Sequence, residues 1–505
     1  MSVLVPAAAD SDQLHRDALT VLQPGFVGTA PPDWLRRHLA AGLGSVALFG
    51  RNVTDPGQLA ALTAALRSEN PDVLVAIDEE GGDVTRLEAG SGSSWPGNLA
   101  LGAIDDPALT RDVARELGRA LAACGINYNW APSADVNSNP RNPVIGVRSF
   151  GADPKLCARH TAAWVEGLQS VGVAACAKHF PGHGDTAVDS HLGLPVVDVD
   201  VDLLSSRDLV PFRAAIEAGA KAVMTAHIMI PALDPKLPAT LSRAVLGDLL
   251  RGSLGYQGLI VTDGIEMGAI ADTYGTAEGT VLALTAGADA ICVGGGLADE
   301  ETVLHLRDAI VAAVRTGRLA EERLADAAER VRHLGGWART EAQGELAGPD
   351  LAIGLRAARR ALRVVRAPGA PGAPVTERPY VASFSPQANI AVGGETPWGV
   401  AGMLAARFPG TRTARFGPDA EPDGMAARVL AEAAGRRLVL VVRDAHRHPW
   451  MSAALERLVA ARPDALVVEM GVPQAVPVGA LHISTHGAAR VCGLAAVEVL
   501  TGQAV

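Results

Sequence analysis

The chain has 505 residues, too many for one compact domain, so two or three are expected. Hydrophobic residues at 48% and charged residues at 20% are those of an ordinary soluble globular protein, and a net charge of −11 argues against a nucleic-acid surface. Only four lysines (155, 178, 221 and 236) stand among the 44 basic residues, which sets Lys178 apart. Five cysteines (124, 157, 176, 292 and 492) show no CxxC pairing, which suggests a reducing compartment. The first ten residues have no basic n-region and no long apolar h-region. No run of about 18 apolar residues could span a membrane, so a cytoplasmic protein with no membrane partner is expected.

Short apolar runs at residues 20–27, 45–49, 73–77, 126–130, 173–177, 222–225, 259–262 and 290–293 read as strands. They are continuous rather than alternating, as strands buried on both faces should be. Amphipathic stretches such as 56–68, 107–123, 155–171 and 300–316 read as helices between them. Eight such units predict a (β/α)8 TIM-type barrel over residues 1–345. A doubly wound sheet is the structural alternative, but the first βα turn has no dinucleotide-type glycine fingerprint. Residues 355–366 read as a basic helical run, and Ala367 to Pro374 alternate Pro and Gly, so 346–374 is expected to be a linker. Beyond it, strands at 437–443, 465–470 and 481–484, with helices at 424–434 and 488–500, predict a smaller three-layer α/β domain over 375–505.

Polar, ionisable residues cluster where the first set of strands ends, which is where α/β enzymes place their chemistry. The densest cluster runs Lys178-His179-Phe180-Pro181-Gly182-His183-Gly184-Asp185-Thr186, then Asp189-Ser190-His191. Others are Asp78-Glu79-Glu80-Gly81-Gly82-Asp83-Val84-Thr85-Arg86, Arg148-Ser149-Phe150-Gly151, Thr225-Ala226-His227 and Thr262-Asp263-Gly264-Ile265-Glu266. Each has a bland reading. Asp263 could simply cap a helix, His191 could be a solvated loop histidine, and the charged residues could form structural ion pairs.

Taken together, these motifs resemble glycoside hydrolase family 3, in its β-N-acetylglucosaminidase branch, over roughly residues 20–340. The resemblance implies a cofactor-free, metal-free, retaining exo-β-N-acetylglucosaminidase. It would remove terminal N-acetylglucosamine from small carbohydrate substrates such as peptidoglycan-derived muropeptides. Asp263 matches the nucleophile that forms a covalent glycosyl-enzyme. His191, paired with Asp189, matches the acid/base, a role its unperturbed pKa of about 6.5 suits. Asp78, Arg86, Arg148, Lys178, His179 and His227 match sugar-binding positions, while His183 and Asp185 are expected to hold the loop. The chain departs from the family string at Glu79 and Asp83, which stand where Gln and Arg are usual, and at Gly264, where a polar residue is usual.

Three alternatives stand beside this reading. Inorganic phosphate could replace water, since a histidine repels a phosphate dianion less than a carboxylate base would. His179, His183, Asp185, Asp189 and His191 could instead be metal ligands of a hydrolase. The chain could also be a sugar-binding protein without turnover.

Overall fold

The computed structural model describes residues 7–187, 193–341, 348–368, 374–386, 392, 396–419 and 421–503. The chain divides into two compact units that do not follow chain order. One comprises Met1–Glu79, Thr110–Asn139 and Ala152–Pro349; the other comprises Glu80–Leu109, Pro140–Gly151 and Asp350–Val505.

In the first unit, β1 (Leu22–Pro24), β2 (Ser45–Leu48), β3 (Leu74–Ile77), β4 (Tyr128–Asn129), β5 (Ala174–Phe180), β6 (Ala222–Thr225), β7 (Leu259–Val261) and β8 (Ile291–Val293) correspond one for one to the predicted runs. Strands β2 to β7 form a parallel sheet in chain order, and β1 pairs with β8. A parallel bridge between Val261 and Ala290 carries the run from β7 to β8. Gln23 Nε2, on β1, donates to Ser45 Oγ, on β2, at 3.2 Å. The result is a curled parallel sheet. Its inner layers include Ala47, Leu74, Ala76, Tyr128, Trp130, Ala174, Cys176, Met224 and Val261, all nearly inaccessible to solvent. Helix Glu321–Glu341 adds Val331, Leu334 and Ala338 to this core. Its Arg339 pairs with Asp72, just before β3, at 2.5 Å, which sets that end of the helix at the amino-terminal ends of the strands.

The predicted helices appear as Pro56–Glu69, Pro107–Ala123, Pro154–Gln169 and Glu300–Arg315. Asp55, Asp153 and Asp299 each cap one, accepting from Gln58 N, Lys155 N and Thr302 N respectively. Three strands differ from expectation. Strand β1 keeps only Leu22–Pro24 of the expected 20–27, since Thr20 ends the helix Ala7–Thr20. Strand β4 has only two ladder residues, because the side chains of Asn127 and Asn129 replace ladder bonds. Asn127 Oδ1 accepts from Val75 N at 2.7 Å and Asn129 Oδ1 from Glu79 N at 3.0 Å. Strand β5 runs three residues past its predicted end, because Lys178 and His179 each find a carboxylate partner and can remain in a buried strand.

In the second unit, β9 (Arg363–Arg366), β10 (Tyr380–Phe384), β11 (Arg412–Phe416), β12 (Leu438–Val442), β13 (Leu466–Glu469) and β14 (Leu481–Ser484) form one sheet in the order β11-β10-β12-β13-β14-β9. Only β9 is antiparallel. Alternate side chains go to opposite faces, as period-two geometry demands. Val381, Val439, Val441 and Val468 face helix Arg490–Leu500, whereas Tyr380, Ala382, Leu440 and Val442 face helices Pro422–Glu432 and Pro449–Ala461. The basic run at 355–366, expected to be helical throughout, splits into helix Ala352–Ala361 and strand β9. The β-branched Val364 and Val365 pair with Ile483 and His482 on β14.

Candidate active site

The ionisable residues of the first unit lie at the carboxyl ends of its strands. Asp78 follows β3, Lys178 and His179 close β5, His227 follows β6 and Asp263 follows β7. Lys178 Nζ donates to Asp78 Oδ1 at 2.6 Å, with the lysine side chain 3% and the aspartate 21% exposed. The ammonium is therefore sealed, while the carboxylate keeps one side toward solvent. Burial pushes the thiol of Cys176, two residues before Lys178, up to about 12, and the charges of Lys178, Asp78 and Asp263 all act on it. Asp78, Lys178 and Asp263 therefore lie at the carboxyl end of one parallel sheet, after β3, at the close of β5 and after β7. Asp263 is partly exposed, and its Oδ1 accepts from Gly264 N at 2.8 Å.

His227 is fully buried. Its Nε2 meets the Gly264 carbonyl at 2.9 Å and its Nδ1 meets Thr240 Oγ1 at 2.8 Å. A carbonyl only accepts, so Nε2 carries a proton. The ring therefore pins the backbone immediately after Asp263. A side chain at Gly264 would meet the Glu266 carboxylate, since a Cβ there would lie 3.2 Å from both of its oxygens. That crowding suits glycine at a position where the family usually has a polar residue.

His179 is organised by Asp135, a residue the sequence reading did not single out. Asp135 is wholly buried. Its Oδ2 accepts from His179 Nδ1 at 2.7 Å and Ser133 Oγ at 2.9 Å, and its Oδ1 from His183 N at 2.7 Å and His179 N at 3.2 Å. Burial alone would raise this carboxyl, but the His179 charge and hydrogen bond, with His183 contributing, hold it below the ordinary carboxylate value. The sequence signal was a Ser-x-Asp just beyond β4, faint because it lies in a loop of small apolar residues.

The loop after β5 is held by several contacts. His183 Nδ1 meets Thr186 Oγ1 at 2.8 Å, and Asp185 pairs with Arg207 at 2.9 Å. Gly184 packs so closely that a Cβ there would lie 1.8 Å from the Val136 carbonyl oxygen. Burial, then the charge of His179, lower the His183 ring to about 4, so it is neutral at pH 7. Among the described residues, no three His, Cys, Asp or Glu are placed to hold a metal ion. Asp189 and His191, the acid/base pair of the sequence reading, lie outside the described residues.

Arg86 and Arg148 belong to the second unit. Arg86 is partly buried. Arg148 grips Glu80 with two parallel bonds, Nε to Oε2 at 2.9 Å and Nη2 to Oε1 at 2.7 Å, with side-chain exposures of 6% and 3%. Such a fork-to-fork pair fixes the guanidinium plane.

Residues 30–334 match the family described as the glycosyl hydrolase family 3 N terminal domain. The chain is similar to a solved glycoside hydrolase family 3 β-N-acetylglucosaminidase from Paenibacillus sp. str. FPU-7, with 36% identity, a TM-score of 0.86 and 97% of each chain covered. A β-hexosaminidase of Thiobacillus denitrificans is 37% identical over 64% of this chain and 95% of its own length. The β-hexosaminidase A of Pseudoalteromonas piscicida is 37% identical over 61% of this chain, a match that spans 55% of the relative's length.

Proposed function

The chain belongs to glycosyl hydrolase family 3, and we propose that it is a β-N-acetylhexosaminidase that hydrolyses terminal N-acetylglucosamine from β-glycosides with retention of configuration. The observation that carries this reading is the likeness to the Paenibacillus β-N-acetylglucosaminidase over 97% of both chains. The convergence of Asp78, Lys178 and Asp263 at one end of a curled parallel sheet supports it. We read that sheet as a (β/α)8 barrel, supported by the Val261–Ala290 bridge and the Gln23–Ser45 bond.

In this reading the Asp263 carboxylate attacks the anomeric carbon as the glycosidic C–O bond breaks. His191, oriented by Asp189, gives its proton to the departing oxygen. The same imidazole then takes a proton from water, which attacks the glycosyl-enzyme and frees Asp263. Two inversions give net retention. Asp78, Lys178, His179, Arg86 and Arg148 take the sugar-binding roles, with the arginines as fixed donors, whereas His227, buried with both ring nitrogens engaged, holds the backbone after Asp263.

Peptidoglycan-derived fragments as substrates and a cytoplasmic location complete the reading. All five cysteines are buried and none forms a disulfide, which supports a reducing compartment. No helix among the described residues is long and apolar enough to cross a membrane. The test is turnover of an aryl N-acetyl-β-glucosaminide with and without inorganic phosphate. Free N-acetylglucosamine at a phosphate-independent rate is expected. Sugar 1-phosphate, at a rate rising with phosphate, would replace hydrolysis by phosphorolysis. His191→Ala should slow substrates with poor leaving groups most, because activated aryl leaving groups need less protonation. Equal losses on both would remove His191 from that role.

A further inference from the structure

Asp83, which reverses the charge usual at its position, sits on a tight turn. Gly81 and Val84 form an antiparallel bridge around it, and Glu80 N donates to Val84 O at 3.1 Å. The turn is fixed from behind. Gly82 has φ +64°, and a Cβ there would lie 2.4 Å from Gly97 Cα, so only glycine passes. Asp83 is therefore three residues from Glu80, the carboxylate that grips Arg148, on a segment with little freedom to absorb displacement.

The Asp83 side chain is 1% exposed. Its Oδ2 pairs with Arg443 Nη2 at 2.5 Å, and its Oδ1 accepts from Ala488 N at 2.6 Å. Arg443 directly follows β12, and its guanidinium lies 5.8 Å over the Trp398 ring. Ala488 precedes the helix Arg490–Leu500. Segment 140–151 is held similarly, with His446 Nε2 donating to Pro140 O at 2.8 Å. The two segments are joined by Glu80–Arg148 and by Asn98 Nδ2 donating to Arg148 O at 2.7 Å.

We propose that Asp83 and Arg443 are positioning residues through which the second sheet fixes Glu80, and through it the guanidinium plane of Arg148, for sugar recognition. This rests on the N-acetylhexosaminidase reading and goes beyond it, because it makes substrate binding depend on a residue of the second sheet. A buried carboxylate whose ionic partner is removed is left uncompensated, so the turn must rearrange to hydrate it. Glu80 moves with that turn, whereas Asp263 lies on a different unit.

The test uses the full chain with Asp83→Asn, Arg443→Gln and the double variant. Each single variant should raise KM for the aryl N-acetyl-β-glucosaminide about tenfold, with kcat within about twofold. The double should be no worse than the worse single, since the two side chains act as one unit. An unmoved KM, a loss confined to kcat, or additive losses would overturn the proposal. If Arg443→Gln does not fold, Arg443→Lys carries the same test, since it keeps the charge and loses the guanidinium that reaches Asp83 Oδ2 and lies over Trp398. Amide hydrogen exchange over residues 144–151 provides a readout independent of turnover. It should rise in Arg443→Gln, and unchanged exchange overturns the clamp even if the wild type proves inactive and the hydrolase reading itself has failed.

Discussion

At the carboxyl end of the first sheet, Lys178 meets Asp78, His179 meets Asp135, and Asp263 keeps part of its surface open to solvent. At the carboxyl end of the second sheet, Glu469 closes β13 and is 1% exposed. Backbone amides satisfy it instead. Its Oε1 accepts from Asp444 N and Gly471 N, both at 2.9 Å, and its Oε2 from Ala445 N at 3.4 Å. Burial, reinforced by the Asp444 charge, pushes this carboxyl up to about 8. Both sheets therefore end in acid. In the first, Asp78 is held by the Lys178 side chain and keeps one side open to a ligand. In the second, Glu469 serves as glue for two loops. Charge at a strand end becomes a site only when something is left for a substrate to satisfy.

The sharpest way to break this contrast is Asp263→Asn. It should lower kcat by about 10³-fold or more without moving the unfolding midpoint. A covalent sugar adduct trapped in that variant would remove Asp263 as nucleophile. Next in size is Asp135→Ala, which leaves two backbone amides and His179 without their buried acceptor. It should cost about 3 kcal/mol in urea unfolding, and a loss near zero would show that the acceptor is dispensable. A smaller effect tests the second sheet. With its pKa raised in the fold, Glu469 contributes stability that is full below about 4.5 and is lost as pH rises through about 8. Glu469→Gln should flatten the decline of the urea midpoint across that window, and an unchanged slope would assign the decline elsewhere. The smallest effect belongs to His183, whose pKa is depressed to about 4. Its neutral ring stabilises the fold above pH 6.5, and that contribution falls away as pH drops toward 4. His183→Gln should reduce the acid sensitivity of unfolding in that interval.

The first sheet was legible because eight apolar runs between capped helices leave few other topologies, and because Asp263, Lys178 and Asp78 stand at their ends. Asp135 was not legible, as its meaning comes from donors on a different strand. In the second unit, β12, β13 and β14 are runs of Val, Leu and Ile and were readable. β9 and β11 were missed because arginine interrupts them, and β10 because its five residues follow a proline- and glycine-rich tract. Nor could sequence pattern assign segments 80–109 and 140–151 to the second unit. That assignment rests on contacts such as Asp83–Arg443, between residues hundreds of positions apart.

The same arginines that hid β9 and β11 stand at the two margins of the second sheet. Arg363 and Arg366 on one edge strand, and Arg412 and Arg415 on the other, leave charged rows where an unpaired strand would otherwise invite a neighbouring molecule. Displacing β9 would bare Leu481–Ser484 as an unpaired strand edge, so self-association of the molecule should be seeded there.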